Sequence, residues 1–424
     1  MFSGLNNILP NSIKYKLFNN STVRKHVLRL LRYSNTKVSN TAIIKDSVNK
    51  SGKERFLLFA RVDTGLNTVS ENITELIALS EYPIDWISIK AFECLDKDFR
   101  FYDYDGIIIH GSICFSVEKL ELITANCKQK FSDYKGIKIM IKQDEWYKPY
   151  QRVEYLEKNP FDMIVTICSS DMIEKFYPSE KLPNISFLTY MTAYVKESNR
   201  YLPYHDIRNR KIDVGYRGWE WPPNHGRLLY EKTQIGREFK IYADKRRIVT
   251  DISGARSDLI TGDDWYEFLG DCKAVLGVES GVSVVDIDGT IEAGLNKFLK
   301  KHRKATDEEI LDYLSEYENG PQYRAIAPRH LEAAACFTVQ VMYEGDFQGI
   351  FKKNEHYICL NRDFSNVNEV IDRILDDNER KRITENAYRD IIMNDNYSYK
   401  SFVKRFDKAI GTLLEGVDNR IIFD

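Results

Sequence analysis

No run of eighteen apolar residues occurs anywhere in the 424-residue sequence, and no secretory leader pattern opens it. A chain without either is expected to stay in the cytoplasm rather than cross a membrane. The seven cysteines stand singly, with no Cys-x-x-Cys pair, as befits buried thiols in a reducing compartment. The seven histidines (26, 110, 205, 225, 302, 330 and 356) are equally scattered, with no His-x-His or His-Glu-x-x-His spacing to suggest a metal centre. Charge of one sign is missing too: Lys+Arg 61 against Asp+Glu 63 gives a net −2, so nucleic acid is not an expected partner of the molecule as a whole. Low-complexity tracts and short internal repeats are absent.

Acidic residues are lacking in one place. The first is Asp46, whereas Lys14, Lys16, Arg24, Lys25, Arg29, Arg32 and Lys37 precede it. Within that segment Val23, Val27, Leu30 and Leu31 fall on one helical stripe, with Arg24, Arg29 and Arg32 outside it. A basic amphipathic helix of this kind suits either an anionic membrane surface or docking on the protein's own core.

What is present is an α/β pattern. Hydrophobic residues make up 43% and aromatics 12%, enough for substantial cores. Apolar segments 55–61, 84–90, 104–111, 136–142 and 161–168 read as strands, alternating with helical patterns at 70–82 and 116–131. After a polar hinge at 197–210, a second series reads 211–218, 237–244, 272–280, 335–342 and 356–361. Continuous apolar strands alternating with helices predict parallel sheets covered on both faces, in two Rossmann-like domains facing each other across a cleft. The expected division is a basic helical segment (1–50), a first α/β domain (51–200), a second (201–395) carrying a helical insertion at 292–320, and a closing helix (396–424).

The candidate chemistry lies where strands end. Arg217 and Lys232 suit a diphosphate, the one as a fork and the other as a point charge, or else form a solvated surface pair. Ser280 and Gly281, in a small-residue turn after Glu279, can offer backbone N–H groups to a phosphate or simply join strand to helix. Glu332, near Arg329 at a helix start, can accept both hydroxyls of a ribose or cap the helix. His110 and the pair Asp144-Glu145 end strands of the first half, and the loop 218–227 holds two tryptophans, two prolines and His225. That loop can stack on a ligand or pack between domains.

One octapeptide, "VVDIDGTI" at 284–291, is similar to the first motif of haloacid-dehalogenase-type phosphohydrolases, in which two aspartates (here Asp286 and Asp288) act on phosphorus. The adjacent pair of aspartates downstream, Asp376-Asp377, sits in a charged helical stretch rather than at a strand end, and little chain remains between "LGVES" and Asp286 for another strand. A metal-binding Asp-x-Asp of single-sheet sugar transferases disagrees with two Rossmann units.

Taken together, "YDGIIIHGS", "MIKQDEW", "DVGYRG", "LGVESGVSVVDIDG" and "APRHLEAA" resemble the GT-B-fold bacterial glycosyltransferases of the surface-polysaccharide (O-antigen or capsule) type, related to the glycosyl transferases group 1 superfamily. Segment 329–377 and the final helices look like the closing module of that fold. The resemblance implies a nucleotide-sugar donor on the second domain, gripped by Arg217 and Lys232 at the diphosphate and Glu332 at the ribose. It also implies an acceptor, a glycan or lipid-linked saccharide, on the first domain; because the histidines are isolated with no metal-ligand spacing, metal-independent transfer without a further cofactor is expected. Retaining members carry a second Glu eight residues before the ribose one; here that position is Arg324, and Glu279 is the nearest substitute. If the reaction inverts, Asp144 or His110 would serve as base; if it retains, the departing phosphate can take the proton. A phosphohydrolase using Asp286 and Asp288, or a non-catalytic assembly subunit, is the alternative.

Overall fold

The computed structural model describes residues 37–46, 52–62, 67–90, 93–202, 206–416 and 420–423. The cationic stripe at 23–32 lies outside them, as does most of the expected segment 1–50 that contains it. No helix among the described residues is long and apolar enough to cross a membrane.

The first lobe lays down β1 (Lys37–Val38), β2 (Phe56–Ala60), β3 (Ile84–Ser88), β4 (Cys94–Leu95), β5 (Gly106–Ile109), β6 (Ile137–Ile141), β7 (Met163–Thr166) and β8 (Ser186–Thr189). The second contributes β9 (Ile212–Arg217), β10 (Thr250–Ser253), β11 (Cys272–Gly277), β12 (Ser280–Val282), β13 (Tyr323–Ala325), β14 (Val339–Tyr343) and β15 (Ile358–Leu360). β16 (Ile422–Phe423) then returns to the first lobe. Two large parallel sheets result, ordered β16-β8-β7-β6-β5-β2-β3 and β10-β9-β11-β14-β15, with β1 and β4 paired separately in a small parallel ladder. The central strands are continuous apolar runs because helices cover both faces: Phe56, Leu57, Leu58, Phe59 and Ala60 are all fully buried.

Segment 237–244 is not a strand. It belongs to the helix Arg227–Arg246, where Phe239 and Ala243 are buried four residues apart while Ile241 between them is 55% exposed. That is the helical period, not alternation. The strand after β9 is instead the short, half-buried edge β10. The helices Thr290–Lys301 and Asp307–Leu314 fill the insertion and share a small core with Val284.

The helix Tyr399–Leu414 crosses back onto the first lobe. Its Asp407 accepts from the Ser80 hydroxyl at 2.7 Å and the Glu81 backbone N–H at 2.7 Å, and its Tyr399 hydroxyl donates to Asn72 at 2.6 Å. Between the lobes, the Tyr323 hydroxyl of β13 donates to the buried Glu145 at 2.9 Å, and the Thr192 hydroxyl to the Ile326 carbonyl at 2.8 Å. These ties hold the carboxyl ends of the two sheets facing each other.

Candidate active site

Between the lobes lies a cleft of about 440 Å³, walled by Asn72, Gln143, Asp144 and Thr192 on one side and by Arg217, Lys232, Ser280, Arg329 and Glu332 on the other. It opens beyond the carboxyl ends of both sheets, where parallel α/β proteins hold ligands.

Lys232 projects from the helix Arg227–Arg246, and its ammonium donates to the Ser280 hydroxyl at 2.9 Å. Burial and the neighbouring Arg329 guanidinium push it down to about 8, against the pull of the Asp144 carboxylate across the cleft. Arg329 sits in the first turn of the helix Pro328–Ala335 and donates to the Arg217 carbonyl at 2.5 Å. Two cations brought together in a half-buried site suit an anion between them.

Glu332 lies one turn along the same helix. Its carboxylate accepts from the Trp265 indole N–H at 2.7 Å. Burial, reinforced by the carboxylate of Glu71 from the first lobe, lifts it to about 7, while Trp265 and Arg329 hold it back. The folded protein therefore binds a proton here that the unfolded chain has released, so this group's contribution to stability falls as pH rises from about 4.5 to 7. Glu332→Gln is expected to remove that component, on the order of 2–3 kcal/mol, from a pH series of melting temperatures.

Arg217 reaches the cleft wall, but its guanidinium is already engaged. Nη2 pairs with Asp251 at 2.8 Å, Nη1 donates to the Tyr216 and Asp251 carbonyls at 3.0 and 2.9 Å, and Nε donates to the Asp258 carbonyl at 3.0 Å. The parallel pairing of β9 with β10 brings Asp251 alongside, opposite Gly215. The cation facing Lys232 is consequently Arg329 rather than Arg217.

Three other expected residues stand apart from the cleft lining. Glu279 is 2% exposed, ion-paired with Arg324 and bonded to the Phe347 backbone N–H at 2.8 Å. The antiparallel β12–β13 pair sets Gly281 opposite Arg324, which brings that arginine onto Glu279. Gly281 itself, at φ +117°, has no room for a side chain: a Cβ would lie 1.9 Å from the Tyr323 carbonyl oxygen. His110 is buried beneath the sheet edge, with Nδ1 accepting from the Ser112 backbone N–H at 3.1 Å, and burial lowers it to about 4. A neutral, enclosed imidazole with that affinity for protons makes a poor base.

Asp144 faces the cleft from a left-handed backbone position, φ 53°, that aspartate tolerates better than most residues. Its carboxylate accepts from the Trp146 indole at 3.3 Å. Its neighbour Glu145 turns the other way, into the core. Asp286 and Asp288 are helix-capping groups: Asp286 accepts from the backbone of Gly289 at 2.8 Å and Glu292 at 2.8 Å, Asp288 from Thr290 at 2.9 Å. No strand carries them to a sheet edge, so the octapeptide lacks the geometry of a phosphohydrolase.

The tryptophan loop borders the cleft and also packs between the lobes. Trp219 and Trp221 line the cleft with stacked rings 6.4 Å apart, whereas His225 packs 4.7 Å from Trp146 of the first lobe. Sequence patterns gave no sign of Trp265 as the partner of Glu332, since 67 residues separate them.

No family model matches the sequence, and no curated protein matches it. Solved structures do. An α-glucosyltransferase in complex with UDP-glucose and DNA containing an abasic site superposes with a TM-score of 0.50 at 14% identity, covering 85% of this chain and 100% of that one. The fold is GT-B. Looser likenesses include the T4 phage β-glucosyltransferase (TM-score 0.47, 16% identity, 84% and 99% covered). Sucrose-phosphate synthase from Thermosynechococcus elongatus is similar at a TM-score of 0.46 (10% identity, 86% and 100% covered). In this GT-B chain Lys232, Ser280, Arg329 and Glu332 all belong to the carboxyl-end wall of the second lobe, and Asp144 to that of the first.

Proposed function

We propose that the protein is a glycosyltransferase that moves a sugar from a nucleotide-sugar donor on the second lobe to a hydroxyl held by the first. The observation that carries this reading is the confrontation of Lys232 and Arg329 in one cleft with Asp144 on the opposite wall. Two cations from separate helices neutralise a departing diphosphate, and stabilising that charge is the main task in such a transfer. Ser280 holds the Lys232 ammonium in place. Glu332, ionised as the cleft fills, accepts from ribose hydroxyls one helical turn from Arg329. If the anomeric centre inverts, Asp144 takes the acceptor proton; if it is retained, the phosphate oxygen leaving at Lys232 takes it.

Lysine and arginine at the leaving group supply what a divalent cation would otherwise supply, which supports transfer without metal. The group Glu355, His356 and Asp390, whose ligand atoms lie close together, is outside the cleft, and Arg389 grips its Asp390 at 2.8 and 2.9 Å. For the acceptor we favour a bacterial surface glycan on a lipid carrier. The sequence motifs support it, as do the seven cations among residues 1–38, suited to an anionic leaflet. Some structural neighbours carry DNA, but a net charge of −2 is ill-suited to a polyanionic acceptor.

A thermal-shift series in EDTA tests the donor half of the proposal. UDP or another nucleoside diphosphate is expected to raise the melting temperature by several degrees, and its sugar conjugate to do likewise. If no nucleotide shifts the transition, the enzyme reading fails and a non-catalytic assembly subunit replaces it.

A further inference from the structure

A second set of cations sits in the first lobe, away from the donor wall. Arg152, on the helix Pro149–Lys158, is 4% exposed, and Nε, Nη1 and Nη2 all lack a hydrogen-bond partner. Its guanidinium lies 4.9 Å from the centre of the Tyr177 ring. Lys142, at the end of β6, is 2% exposed; its ammonium donates to the Gln143 carbonyl and lies 5.8 Å from the Phe115 ring centre. Both line one small hollow, together with Phe115, Tyr147, Lys148 and Gln151. Phe115 and Tyr147 stack at 4.7 Å to form one wall.

A buried guanidinium normally has its N–H groups satisfied, since leaving them bare costs several kcal/mol. The buried carboxylate in this neighbourhood, Glu145, cannot do it. Its oxygens already accept from the hydroxyls of Thr166, Tyr177 and Tyr323 and from the Ile167 backbone. These four bonds fill its acceptor positions. The hollow measures about 10 Å³, the room of a single oxygen atom. Lys142 is followed directly by Gln143 and Asp144, which line the cleft.

We infer that the hollow receives one oxygen of an oxyanion, a phosphate or carboxylate, carried by the acceptor. Arg152 supplies the fork, Lys142 the second positive charge, and Gln151 and Lys148 stand at the rim. An acceptor anchored there presents its hydroxyl toward Asp144 two residues along the chain. This inference rests on the transferase reading and narrows its acceptor to an acidic one.

Melting temperatures measured with inorganic phosphate and with acetate provide the test. Each anion is expected to raise the transition in a saturable way in Lys232→Ala, where the cationic donor site is impaired and cannot account for the shift. With Arg152→Met added to that background the increment should vanish, while Arg152→Met alone, without anion, melts no lower than wild type because a buried guanidinium lacking hydrogen-bond partners has been removed. Should that variant not fold, Gln151→Glu, which sets a like charge at the rim, should weaken apparent anion affinity at least about tenfold. Stronger stabilisation by phosphate than by acetate assigns a phosphorylated acceptor, and the reverse an acidic sugar. The inference is overturned if neither anion stabilises Lys232→Ala, or if the increment in that background survives Arg152→Met or Gln151→Glu unchanged. A nucleotide-induced shift that persists in Arg152→Met keeps this outcome separate from the transferase reading, which fails only with loss of that shift in wild type.

Discussion

Lys232→Ala is expected to lower the rate of sugar transfer by about 10²–10³-fold with the fold intact, the scale of removing one preorganised charge from a leaving group. The loss should fall mainly on kcat, because negative charge accumulates on the diphosphate as the glycosidic bond breaks and the ammonium meets more of it than in the bound donor. Lysine at this place is held by Ser280 at 2.9 Å and faces Arg329, so a second guanidinium would crowd the first, and Lys232→Arg should recover little. The wild-type pH profile carries the same signature. The ammonium loses its proton at about 8 in the free protein, so kcat/KM should decline above that pH. That alkaline limb should be missing from the residual activity of Lys232→Ala. Near-wild-type kcat in the alanine variant would remove the main support for the diphosphate assignment.

The largest structural effect is expected at Glu145, which no solvent touches. Glu145→Ala strips the acceptor from the Thr166, Tyr177 and Tyr323 hydroxyls and the Ile167 N–H at once. Breaking a buried charged network from one side costs about 3–5 kcal/mol, which lowers the melting temperature by about 3–6 °C in a protein of this size. Tyr323→Phe removes only the 2.9 Å bond between the lobes and should cost about 1 kcal/mol. A drop for Glu145→Ala no larger than for Tyr323→Phe would show that the network contributes little. Calorimetry of both variants decides it.

The parallel sheets were legible because their strands are unbroken apolar runs. Phe56–Ala60 and Met163–Thr166 are buried along their whole length, and a segment of that kind has no amphipathic alternative. Segment 237–244 misled because Phe239, Ile241 and Ala243 also alternate, and eight residues cannot distinguish a period of two from 3.6 without the flanking helix. β10 was hidden by its polar edge sequence. Lys232, Ser280, Arg329, Glu332 and Asp144 all line one cleft beyond the carboxyl ends of the sheets. What a local reading could not supply was pairing across long stretches of chain. Asp251 claims Arg217 through sheet register, and Arg324 claims Glu279 through the antiparallel β12–β13 ladder. Neither partner is visible from spacing, so a residue of the right type was mistaken for one that is free. Arg152 shows the converse: an ordinary helical arginine in sequence, it is unusual only because nothing around it answers its charge.

β16 pairs with β8 at the edge of the first sheet, and Asp407 clasps Ser80 and Glu81 more than three hundred residues earlier. On a ribosome, the amino-terminal half would emerge long before the segments that finish it. Its sheet would wait with a raw edge, and its surface with a bare apolar strip, while the other half was being made and folding. Chaperone dependence during synthesis should therefore concentrate on the half that appears first, and truncation before residue 399 should leave that half, not the later one, prone to aggregate.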